Sequence, residues 1–119
     1  LVDPPYEAKD ELDRVLRGLK HAIRRWATGV YALWYPIKGR APVDAFHAAL
    51  KASGIPRILA VELLLWPVQT EDRFNGCGLV IVNPPWQVDA ALQAMLPRLA
   101  GILCTATGSA RVEWLAPED

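Results

Sequence analysis

The stretch Leu1-Val2-Asp3-Pro4-Pro5-Tyr6 decides how the rest of the chain is read. An apolar pair runs into a carboxylate, two prolines and an aromatic ring, with a helical pattern immediately behind. Pro4 and Pro5 fix their own φ and supply no backbone N–H, so no strand passes through them inside a sheet. Asp3 therefore closes whatever strand Leu1 and Val2 belong to, and in an open α/β sheet the strand ends form the ligand-binding edge. A strand of ordinary length needs several residues ahead of Asp3. The 119 residues are thus expected to be the C-terminal portion of one larger domain.

A carboxylate followed by two prolines and a ring suits attack by an exocyclic nucleobase amine on an electrophile. Such an amine is a poor nucleophile because its lone pair is delocalised into the ring. The Asp3 carboxylate and the Pro4 carbonyl can each accept one N–H hydrogen bond, and two acceptors at fixed separation favour a pyramidal nitrogen with its lone pair free. Pro5 helps hold them rigid, and Tyr6 offers a π face for a flipped-out base. The plainer reading of the same four residues is an Asp-Pro turn that ends a strand.

Behind the tetrad, Leu12, Val15, Leu16, Leu19, Ile23 and Trp26 recur at three- and four-residue spacing and predict a helix from about Glu7 to Trp26. Acids gather in its first half and bases in its second, as the helix dipole favours. Its basic half is read as a solvated face, with RNA phosphates as the alternative partner. Val30 to Ile37 predicts a buried strand ended by Pro36, parallel to the strand closed by Asp3. Trp34 and Tyr35 are candidates for an adenine pocket or for the core, and the loop Lys38-Gly39-Arg40 for a phosphate contact. Pro42 opens a helix faced by Val43, Phe46 and Leu50 and ended by Gly54 and Pro56. Arg57 to Trp66 predicts a strand in which Glu62 is either a site residue or, more simply, at an edge, because an unpaired buried carboxylate is costly. A polar loop, Pro67 to Gly76, then joins it to a strand Cys77 to Asn83, and the short connection predicts an antiparallel hairpin.

Asn83-Pro84-Pro85-Trp86 repeats the shape of the opening tetrad. Asn83 offers an amide carbonyl to an amine and Trp86 a ring to a base. It ranks behind Asp3, because its strand runs antiparallel to its neighbour and two prolines also simply stop a strand. Val88, Ala91, Leu92, Met95, Leu96 and Leu99 predict a last helix, kinked or divided at Pro97, before a turn at Thr105 to Ser109 and a strand Ala110 to Leu115.

Composition sets the outer bounds. Apolar residues make up 52%, enough for a core and too many for a disordered tail. Thirteen Lys and Arg balance thirteen Asp and Glu, so the chain has no overall basic footprint for nucleic acid. Cys77 and Cys104 are expected to be reduced thiols in a cytoplasmic protein. No apolar run reaches the ~20 residues of a membrane span. His21 and His47 have no second ligand at metal-binding spacing.

The motifs Asp3-Pro4-Pro5-Tyr6-Glu7, Ala32-Leu33-Trp34-Tyr35-Pro36 and Asn83-Pro84-Pro85-Trp86, with the Gly108 to Pro117 ending, resemble the bacterial family of 23S rRNA adenine-N6 methyltransferases, also described as proteins for using external DNA. The resemblance implies an α/β fold, residues 1–119 being the C-terminal part of a Rossmann-like methyltransferase domain with parallel strands plus an antiparallel hairpin. It implies S-adenosyl-L-methionine as cofactor, 23S rRNA as partner and a protein that is monomeric when complete. Asp3 would be the catalytic aspartate and would also lie beside the cofactor. The family carries its glycine-rich cofactor loop upstream of the tetrad, and no G-x-G-x-x-G occurs in this sequence. The chain is accordingly expected to hold the acceptor side of the site and to be inactive by itself. The alternatives are a DNA amino-methyltransferase, a protein for using external DNA, and a non-catalytic remnant that binds nucleic acid.

Overall fold

The computed structural model describes residues 11–65, 75–103 and 109–117. The opening tetrad, most of the polar loop 67–76 and Cys104 lie outside them. Seven elements follow in order: α1 (Glu11–Arg25), β1 (Tyr31–Ile37), α2 (Arg40–Ala52), β2 (Ile58–Leu64), β3 (Gly76–Val82), α3 (Val88–Leu103) and β4 (Ser109–Ala116).

The strands form one sheet in the order β1-β3-β2-β4, and every neighbouring pair is antiparallel. The hairpin of β2 and β3 is as expected. The sequence did not disclose that β3 also inserts beside β1. It pairs Tyr31 with Val82 at one end and Ile37 with Gly76 at the other. β1 and β2 therefore point the same way without pairing with each other. No parallel pair occurs among the described residues. The expected parallel partner of β1, the strand closed by Asp3, falls outside them.

Alternation along the strands builds two cores. Leu33 and Ile37 of β1, Ile58 and Ala60 of β2, and Val80 and Val82 of β3 face α1 and α2. Leu59, Val61 and Ile81 face α3 through Leu96. β2 is thus covered on both faces and paired on both sides, which is why its sequence is almost continuously apolar. α1 contributes Leu16 and Leu19 and α2 contributes Val43, Phe46 and Leu50, so the apolar stripes read from sequence are the buried ones except at Trp26, which follows the end of α1 and is 62% exposed. Each such side chain is worth ~1.5–3 kcal/mol on burial.

Three boundaries differ from expectation. Pro36 does not end β1 but pairs within it, opposite Cys77; β1 has no second neighbour among the described residues, and an outer position tolerates a missing donor. α2 begins at Arg40, ahead of Pro42. α3 runs unbroken through Pro97, whose exposed position lets water reach the Gln93 carbonyl that loses its helical partner.

Candidate functional site at the carboxyl edge of the sheet

The register fixes which residues share an edge. β1 and β2 end at Ile37 and Leu64, and Gly76 of β3 and Ser109 of β4 stand beside them. This carboxyl edge is where open α/β sheets hold ligands. Asn75 stitches it together. Its backbone N–H donates to Ile37 O (2.7 Å), its carbonyl accepts from the Leu65 N–H (2.8 Å), and its Nδ2 donates to Lys38 O (2.5 Å). Only 1% of Asn75 is exposed. The sequence reading placed it in an undifferentiated polar loop.

One row of residues crosses all four strands just inside this edge: Tyr35 opposite Gly78, Gly78 opposite Glu62, and Glu62 opposite Arg111. Tyr35 and Glu62 are two strands apart, and the missing side chain of Gly78 lets the ring lie across β3. A Cβ at Gly78 would stand 2.2 Å from Tyr35 Cζ. The Tyr35 hydroxyl donates to Glu62 Oε2 at 2.9 Å and lies 3.0 Å from His47 Nε2. From the start of α2, Arg40 Nη1 donates to Glu62 Oε1 at 2.9 Å, and Nη2 reaches Asp44 at 3.1 Å. A hydroxyl has one proton, and here it goes to the carboxylate. His47 Nε2 must then be the donor to Tyr35, which fixes the imidazole tautomer.

Glu62 is only 2% exposed, so the sheet-edge placement expected for it is overturned. β2 is an interior strand, and the carboxylate is tolerated because Arg40, Tyr35 and His47 converge on it from other elements. Burial and the Glu62 charge push the Tyr35 hydroxyl far above the usual phenol range. Burial lowers the pKa of His47, against the pull of Glu62 at 3.7 Å. For Arg40 burial works against the cation, but its hydrogen bonds and charge contacts with Glu62 and Asp44 outweigh it and the pKa is raised. Neither a phenol nor an imidazole held this way is poised to move protons. The cluster anchors the start of α2 to the sheet.

A cavity of about 300 Å³ opens over this row, lined by Arg40, Glu62, Leu64, Ser109 and Arg111. Its charges are internally matched, since Arg111 pairs with Glu113 at 2.7 Å.

The residues singled out by sequence are dispersed. Tyr35 is fully buried, edge-on to Phe46 and His47, so its face is not open to a base. Trp34 is half-buried on the opposite face of β1. Lys38 is exposed at the carboxyl edge. Asn83 and Trp86 follow β3, whose direction carries them to the other end of the sheet, a seven-residue strand or ~20 Å away. There Asn83 adopts a left-handed backbone (φ 55°), and its Nδ2 donates to Ala27 O (2.8 Å) and Gly29 O (2.9 Å), clamping the turn after α1. Trp86 is 81% exposed. Asp3, Pro4, Pro5 and Tyr6 lie outside the described residues. Among the described residues no group of three His, Cys, Asp or Glu is placed to hold a metal, and no helix is long and apolar enough to cross a membrane.

A sheet of this order, with helices on both faces and an anchored helix start at its carboxyl edge, belongs to the α/β class. The crystal structure of a Legionella pneumophila protein of family DUF519 superposes with a TM-score of 0.83 at 29% identity, covering 94% of this chain and 41% of that one. The model of the family described as "Ribosomal RNA large subunit methyltransferase D, RlmJ" matches residues 1–116, and the chain belongs to this family. Proteins named ribosomal RNA large subunit methyltransferase J from Haemophilus influenzae and Escherichia coli are 40% and 39% identical to it over 119 residues. The chain spans 42% of the length of either relative.

The cofactor implied by the resemblance needs backbone donors at a helix start and an acid for its ribose hydroxyls. The described residues do not fit it. α2 opens behind the single Gly39 with the Arg40 guanidinium at its terminus, and the nearby acid, Glu62, is already held by Arg40 and Tyr35. None of them is assigned to the methyl donor.

Proposed function

We propose that the protein to which this chain belongs transfers a methyl group from S-adenosylmethionine to the exocyclic N6 amine of an adenine in 23S rRNA, on a Rossmann-like fold that this chain completes. The reading is carried by one observation: the family match runs through residues 1–116 and so includes Asp3-Pro4-Pro5-Tyr6. The cofactor would supply an electrophilic methyl on a sulfonium. This chain's part is to hold the acceptor. The Asp3 carboxylate and the Pro4 carbonyl accept the two N–H groups of the amine, Pro5 keeps them at fixed separation, and Tyr6 stacks on the base. No strong base is needed, because the amine proton becomes acidic once the nitrogen carries the new methyl.

The test is cofactor binding by calorimetry and methyl transfer to a 23S rRNA transcript, on the full-length protein. The expectation is binding, a single modified adenine, and loss of methyl transfer by at least a hundredfold in Asp3→Ala with cofactor binding retained at reduced affinity. Methylation of duplex DNA in place of rRNA would replace the substrate assignment, and absence of cofactor binding would end the methyltransferase reading.

A further inference from the structure

Although the chain is neutral overall, its cations are not evenly spread. At 100° per residue, Arg14, Arg17, Lys20, His21, Arg24 and Arg25 fall within an arc of roughly 140° on α1, opposite the Leu12, Val15, Leu16, Leu19 and Ile23 stripe that the core consumes. All six are exposed. Among the described residues Arg17, Lys20, Arg24 and Arg25 join no ion pair, whereas Arg40 and Arg111 do. A solvated helix face is ordinarily laced with carboxylates three or four residues away. Here the last acid, Asp13, lies in the same arc four residues from Arg17 without pairing with it, and the turns beyond carry only like charges, which repel one another unless an anion lies over them.

The stripe also has a direction and an end. The Tyr31 hydroxyl donates to Trp26 O (2.7 Å) and also lies 3.0 Å from Ala22 O, so the last turn of α1 sits at the start of β1 and its first turn lies toward the carboxyl edge. From Arg14 to Arg25 the stripe runs ~16 Å. It ends at a corner where Trp26 is 62% exposed, propped edge-on against Tyr31, and where the Asn83 clamp brings in the loop that bears Trp86. Cations in line followed by exposed indoles are the two components of a surface that tracks a nucleic-acid backbone and stacks unpaired bases.

We propose that the outer face of α1 is the track for the RNA flanking the target adenine, with Arg17, Lys20, Arg24 and Arg25 on successive phosphates and Trp26 and Trp86 stacking bases of a loop at the far corner. This rests on the rRNA reading above. The face carries no apolar stripe of its own, and a polyanion is the occupant that its charge fits.

The experiment uses full-length protein and a labelled rRNA hairpin carrying the target adenine, with affinity followed by anisotropy against salt. In the variant R17Q/K20Q/R24Q/R25Q, which retains good helix formers, the slope of log affinity against log salt is expected to fall by about 3, at ~0.7–0.9 per lost phosphate contact, while cofactor binding is unchanged. Trp86→Ala is expected to weaken binding ~5- to 100-fold and Trp86→Phe to restore most of it, since either ring offers a stacking face. A salt slope equal to that of the unaltered protein, or affinity within twofold for both variants, overturns the track. The rRNA reading itself fails separately, if the unaltered protein does not methylate the transcript.

Discussion

Replacing Gly78 by alanine puts one methyl group where the Tyr35 ring lies. The new Cβ would be 2.2 Å from Cζ and 2.4 Å from the hydroxyl oxygen, distances that no relaxation of a few tenths of an ångström relieves. The ring has nowhere to go, being fully buried and held edge-on by Phe46 at 5.8 Å and His47 at 5.9 Å. Either β3 bows away from β1 and β2 or Tyr35 leaves. Losing the hydrogen bond to Glu62 costs about 1.5–3 kcal/mol because the acceptor is charged, and losing the one from His47 about 0.5–1.5. Overpacking adds roughly 1–3 kcal/mol, and removing a strand glycine returns about 0.5–1. The net expectation is a loss of about 2–7 kcal/mol, a large part of the stability of an ordinary domain. Urea denaturation of the full-length protein followed by tryptophan fluorescence measures it. The diagnostic control is the same substitution in a Tyr35→Leu background, where the clash is gone and alanine should cost less than ~1 kcal/mol. Gly78→Ala within 1 kcal/mol of the unaltered protein, or an equal cost in both backgrounds, would refute the argument that an empty side-chain position lets Tyr35 span β3.

Tyr35→Phe keeps the ring and removes only the hydroxyl, so it should destabilise by about 2–4 kcal/mol in the same assay, and by much less once Glu62 is changed to Gln; additive effects would mean that the two groups are not coupled. Burial keeps His47 neutral in the folded protein, whereas the unfolded chain protonates it near pH 6.5. Its contribution to stability is therefore complete above about pH 6.5 and is lost as pH falls toward the lowered folded value, at no more than about 1.4 kcal/mol per pH unit. His47→Gln should flatten the stability profile as pH falls below about 6.5, and an unchanged profile would count against a lowered His47 pKa. Asn83→Ala forfeits two hydrogen bonds and places alanine in a left-handed backbone, an expected cost of about 2–3 kcal/mol with methyl transfer per folded molecule unchanged. A tenfold fall in that rate at retained stability would instead put Asn83 in the active site.

What the sequence determined by itself is what neighbouring residues decide among themselves. The apolar spacing of Leu12 to Ile23 and of Val43 to Leu50 marked the buried faces of α1 and α2, and the short link after Leu64 made β2 and β3 a hairpin. These depend on periodicity and chain length, which are local. The DPPY stretch and its companion motifs likewise carried the family, because motif chemistry is written in consecutive residues. The tertiary structure alone decided that β3 lies between β1 and β2, that Asn83 and Trp86 stand at the end of the sheet away from Lys38, and that Glu62 is interior. A carboxylate amid Ala60, Val61, Leu63 and Leu64 reads as an edge residue, since isolated burial costs several kcal/mol. Its position is stable only because Arg40, Tyr35 and His47, respectively 22, 27 and 15 residues away, are delivered to it by strand pairing and by α2, and no spacing in the sequence records that meeting.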